Sequence, residues 1–142
     1  MKQITYLSGF ILLIIFFIAC SKKTTAISQT TTDQKLMGTW KWVRSSGGFA
    51  NQTRTPESIG ENRSLQFAND HQYFIYKNES IISFGTYAIE TRQCIHDHTN
   101  KPWINFSSPN DNDQMIEKME ETNLELSDEV YDGFDHFYTK AK

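Results

Sequence analysis

From Leu36 to the C-terminus, apolar and polar residues alternate with a period of two, and turn-forming residues interrupt the alternation at short intervals. The pattern predicts eight strands, at 39–45, 63–68, 72–77, 80–91, 102–107, 114–120, 123–127 and 134–140. In the first, Trp40 and Trp42 share a face. In the fourth, Gly85, Tyr87 and Ile89 oppose Phe84. In the last, Phe134, His136 and Tyr138 alternate with Asp135 and Phe137. Asn69-Asp70, Asn78-Glu79, Asp132-Gly133 and the polar run 110–113 mark tight connections. Proline occurs only at Pro56, Pro102 and Pro109, outside the apolar runs. No segment sustains a 3.6-residue period, although 115–121 also reads as a short helix. Eight short antiparallel strands in sequence order predict an all-β, up-and-down barrel, a closed sheet without edges.

Such a barrel is just wide enough to fill with side chains or to hold one small ligand. Trp42, Phe67, Tyr73, Ile75, Tyr87, Ile104, Phe106, Leu124, Leu126 and Tyr138 are expected to face inward. Trp42, Phe67, Tyr73, Tyr87, Phe106 and Tyr138 are the candidate ligand contacts: an apolar inventory with a few hydroxyls, suited to a small apolar molecule. The residues alone fit a filled interior as well. One connection, 46–62, is long for a compact domain and carries Gly47-Gly48, Phe49, Pro56 and Ile59. It reads as a lid over the barrel, as a plug in one end, or as a surface offered to a protein partner.

The N-terminus follows another pattern. Lys2 precedes ten unbroken apolar residues, 10–19, and Cys20 follows at once. That run has the length of a signal-peptide core and is short for a membrane span of about 20 residues. An uncleaved helical anchor is the other reading. Phe17-Ile-Ala-Cys20 resembles the lipobox of bacterial lipoproteins. The resemblance implies diacylglyceryl transfer to the Cys20 thiol, cleavage after Ala19 so that 1–19 is removed, and a protein held to a membrane by lipid. By the same resemblance Ser21, in place of an Asp, favours the outer membrane of a Gram-negative cell envelope. Residues 20–34 are polar and Thr-rich, and read as a disordered tether with a reach of about 20 Å. The barrel domain is then 35–142.

Composition narrows the function. The chain has 142 residues, 13% of them aromatic, and a formal net charge of −3 that becomes one unit more negative without Lys2. A mildly acidic body argues against nucleic-acid binding. Cys20 and Cys94 are the only cysteines; with Cys20 lipidated, no internal disulfide is possible and packing must hold the domain. Cys94-Ile-His96-Asp-His98 is a weak metal candidate, since in an extended segment these side chains share a face. The sequence runs into Thr99-Asn100, so a solvated loop is expected. Asp128, Asp132 and Asp135 around Gly133 lack calcium-loop spacing and read as a solvated turn. His136 is expected as a hydrogen-bonded core or rim residue. No nucleophile elbow, phosphate loop or zinc-protease motif is present, so neither an enzyme nor a cofactor is expected.

Gly38-Thr-Trp40 resembles the Gly-x-Trp signature at the first strand of lipocalins and related calycin barrels. The set 42–49, Thr55-Pro-Glu-Ser58, Gly85-Thr-Tyr-x-Ile89, Leu124-x-Leu126 and 132–138 is similar to small lipocalin-like lipoproteins of Bacteroidetes. The resemblance spans nearly all of 36–140 and implies the barrel, with Gly38 and Trp40 as its motif residues. Lipocalins commonly stack an Arg from the last strand on that Trp. Here no Arg follows Arg92, so the stack is absent or made by Lys140 or Lys142.

Overall fold

The alternation becomes strands because one face of each segment can be buried while the other meets water. The structure is a computed structural model that describes residues 31–142; the leader and Cys20 lie outside the described residues. Residues 31–36 are helical (α1). There follow β1 (Gly38–Gly47), β2 (Gln52–Arg54), a helical turn α2 (Pro56–Ile59), β3 (Arg63–Ala68), β4 (Gln72–Lys77), β5 (Ser80–Gln93), β6 (Asn100–Phe106), β7 (Gln114–Met119), β8 (Asn123–Ser127) and β9 (Phe134–Lys140). All pairings are antiparallel. The order β1-β3-β4-β5-β6-β7-β8-β9 returns to β1 through a β1–β9 ladder, which closes an eight-stranded lipocalin-like barrel. β2 lies outside this ring, paired only with the end of β1. The stretch 115–121 is strand rather than helix over β7.

Register explains the core. Trp40 lies opposite Leu65, Leu65 opposite Ile75, and Phe67 opposite Tyr73. Tyr87 faces Phe106, Ile89 faces Ile104, and Leu124 faces Tyr138. These rows form one buried cluster with Leu36, Ile116 and Leu126, and Phe67 meets Tyr87 edge-on at 4.9 Å. Every residue of the cluster lies between Leu36 and Tyr138, so the barrel carries its own core within residues 31–142. Register slips at Trp42/Arg44, Ile75/Tyr76 and Ile116/Lys118 are bulges, which bend strands and let the sheet curl shut. A smaller cluster of Cys94, Trp103 and Met115 packs separately.

One end of the barrel is sealed, and the helix that seals it begins inside the stretch read as tether. Leu36 is fully buried at the base. The Trp40 Nε1–H donates to the Leu36 carbonyl at 2.6 Å. Lys140 Nζ sits 4.9 Å from the centre of the Trp40 ring and donates to the Lys35 carbonyl at 3.0 Å. The missing arginine stack is therefore made by lysine. Gly38 must be glycine: its φ is +117°, and a Cβ there would lie 3.1 Å from the Lys140 Cε.

The long connection is neither lid nor plug. After Gly47 it turns back as β2, then forms α2, capped by Thr55 with Pro56 at the first turn. Gly47 has φ +141°, and its backbone passes so close to Gly133 that a Cβ would come within 2.3 Å of the Gly133 carbonyl oxygen. Phe49 at the tip is 96% exposed.

Candidate functional site

The end opposite α1 is open. It holds a cup of about 430 Å³ whose apolar wall is Trp42, Leu65, Ile75, Phe106 and Tyr138. Arg63, Lys77, Asp111, Gln114, Asp128 and His136 supply its polar wall. Loop 107–113 reaches over this cup; no residue of 46–62 lines it. A second hollow, on the flank where β1 leaves β3, shares Trp42, Arg63 and Ser64 with the cup.

Three of the six candidate contacts, Trp42, Phe106 and Tyr138, line the cup. Tyr73 is fully buried below it, and its ring lies 4.6 Å from that of Phe106. Phe67 and Tyr87 are buried in the filled half and do not reach it. The interior is thus part core and part cavity. To the apolar inventory with a few hydroxyls expected from the candidate contacts, the cup adds a charged and polar wall that none of them supplies.

Two polar networks shape the wall. In the first, the Trp42 Nε1–H donates to Ser45 Oγ at 2.8 Å, and Ser45 Oγ lies 2.7 Å from His136 Nδ1. His136 Nε2 lies 3.1 Å from Asp128 Oδ1, which also accepts from the Gln114 amide at 3.3 Å. These bonds join Trp42, Ser45, His136 and Asp128 in one continuous chain, which the Trp42 Nε1–H begins as donor. Burial pushes the Asp128 carboxyl up, but the hydrogen bond and charge of His136, with Gln114, outweigh it and hold the group below its ordinary value. Asp128 begins the turn around Gly133, but its side chain is fixed against His136 and Gln114 rather than left to solvent. Ser45 is 5% exposed and does not line the cup, so this trio orients the imidazole rather than presenting a nucleophile. His136 is the hydrogen-bonded rim residue expected.

In the second network, Asp111 Oδ2 accepts from Tyr73 Oη and Ser83 Oγ, each at 2.5 Å. Two such short bonds to a carboxylate are charge-assisted. They fasten loop 107–113 to β4 and β5. Asp113 adds a contact, accepting from the Phe106 N–H and from Arg92 at 3.1 Å. Across the cup, Arg63 and Lys77 each reach Glu61 at 2.6 Å, and both hold its carboxyl below the ordinary value. The Arg63 guanidinium lies 5.4 Å from the centre of the Trp42 ring.

The cysteine–histidine segment does not form a metal centre. Cys94 and Thr99 are joined by a backbone bond, and the His98 N–H donates to the Cys94 carbonyl, so the segment is a turn rather than an extended strand. Cys94 is buried beside Trp103 and Met115, and burial pushes its thiol up. His96 and His98 are both exposed, and His96 lies edge-on to the Tyr131 ring at 5.7 Å. Among the described residues, no group of three or more His, Cys, Asp or Glu is placed to hold a metal.

Burial also raises three interior tyrosine hydroxyls. Tyr87 is pushed up to about 12 by burial and the charge of Asp33, and Tyr73 and Tyr138 rise for the same first reason. Their neutral forms favour the folded state, so this contribution is whole below the unfolded value of roughly 10 and lost as pH rises through the folded values. The denaturant midpoint is expected to fall between pH about 10 and 12, Tyr87 alone accounting for on the order of 2 kcal/mol. A midpoint that stays flat across that range would contradict these assignments.

Scans against protein families, curated proteins and solved structures find no match for the chain.

Proposed function

We propose that the chain is an envelope lipoprotein, tied to a membrane through Cys20, whose barrel carries a small amphipathic molecule in its open end. The observation that supports it most is the cup of about 430 Å³, apolar on one wall and polar on the other. That volume lies in the range of small-molecule sites, and a few placed polar groups over an apolar surface are their usual chemistry. The Lys140–Trp40 stack, in the place where lipocalins stack an arginine, agrees with a lipocalin-like barrel, and the resemblance at Phe17–Ser21 supports a lipid anchor with an outer-membrane address. Among the described residues no helix is long and apolar enough to cross a membrane.

Native mass spectrometry of the gently isolated protein tests the ligand. A small non-covalent adduct is the expected result; a barrel that is empty in every preparation overturns the reading. Incorporation of a labelled fatty acid tests the anchor. Label is expected on the wild type and absent from Cys20→Ser, and a labelled variant or an unlabelled wild type would contradict it.

A second reading rests on Phe49. In that reading Phe49, 96% exposed at the tip of a capped, glycine-anchored loop, would be the side chain offered to a protein partner in the envelope. Loss of that partner in Phe49→Ser, with the cup unoccupied, would favour it.

A further inference from the structure

The charges around the cup are unevenly answered, and the imbalance bears on what the cup holds. Arg63 and Lys77 share the single carboxylate of Glu61, so that wall of the cup keeps one positive charge over and is no place for a second cation. The cup's second carboxylate, Asp128, has His136. Asp111 is different: its two partners, Tyr73 and Ser83, are neutral hydroxyls, and it takes part in no ion pair among the described residues. Both bonds fall on Oδ2, while the residue as a whole lines the cup. A fixed carboxylate beside an apolar wall, with no cation of its own, is an acceptor waiting for a donor. Phe106 and Tyr138 border the same space and offer aromatic faces, which favour organic cations. The Trp42 ring already has the Arg63 guanidinium near it.

We infer that the molecule carried in the cup bears a protonated amino group, which sits against Asp111 while its apolar body lies along Leu65, Ile75 and Phe106. This rests on the cup being a binding site and adds the class of ligand. Tyr73 and Ser83 are positioning residues: they aim the carboxylate by occupying one oxygen.

The test uses three probes with the same body and different heads, hexylamine, hexanol and hexanoate, titrated into the chain from Ser21 onward, which contains the whole core. Binding is read by calorimetry at pH 7. Hexylamine is expected to bind at least about tenfold more tightly than the other two, the scale of a charge-assisted contact. Asp111→Asn is expected to bring it down to the level of hexanol. Asp113→Asn, which removes a carboxylate and a fastening of the same loop outside the cup lining, is expected to retain the preference. The inference is overturned if hexanol or hexanoate binds as well as hexylamine, if Asp111→Asn keeps the preference, or if Asp113→Asn loses it as fully as Asp111→Asn; the cup then still stands as a binding site. If none of the three binds, the cup itself fails and the inference with it.

Discussion

Trp40→Ala is expected to cost about 3–5 kcal/mol of folding stability, the range for truncating a fully buried tryptophan. Typical domains are stable by only about 5–15 kcal/mol, so a large share of the barrel's stability would go with this one residue. Trp40 is wholly buried opposite Leu65, it ties α1 to the base through the Leu36 carbonyl, and its ring carries Lys140. One substitution therefore opens a cavity, orphans a backbone carbonyl and releases the cap. Lys140→Met removes the cation over the ring together with its hydrogen bond to the Lys35 carbonyl, and is expected to cost about 1 kcal/mol. Lys140→Arg should cost little or gain, since a planar guanidinium stacks better. Urea denaturation of the three variants checks the order. A loss under about 1 kcal/mol in Trp40→Ala would mean that the sealed end does not depend on this residue.

The second large effect is on binding. Ile75 lies opposite Leu65 and Ser83 and lines the cup. Ile75→Trp should fill space that a ligand needs and weaken binding by about a hundredfold or more. Its stability should change by no more than the roughly 1–3 kcal/mol of an overpacked site, because the added ring has the cup to enter. Binding that survives the substitution would place the ligand elsewhere.

The eight barrel strands were legible in the sequence because each buries one face, and burial on one face writes a period of two. The same logic explains the misses. β2 is Gln52-Thr-Arg54, exposed at all three positions, so nothing in its pattern marks it. Helical residues 31–36 are polar apart from Leu36, and a single buried anchor makes no periodicity. The polar wall of the cup was hidden for a different reason. Ser45 and His136 stand 91 residues apart, and Tyr73 and Asp111 stand 38 apart. Asp111 falls within a polar run that looks like an ordinary hairpin loop, and only the closure of the barrel brings it above Tyr73. Cys94, His96 and His98 show the converse: proximity in sequence promised a shared face that a turn at His98, with φ of 59°, takes away.

The most direct test of the account is the occupied fraction of wild type and Ile75→Trp in native mass spectra recorded side by side, after identical isolation from the organism's own envelope. The account expects a small molecule on the wild type and none on the variant, both chains being folded. Equal occupancy in the two would remove the open end of the barrel as the place where this protein does its work.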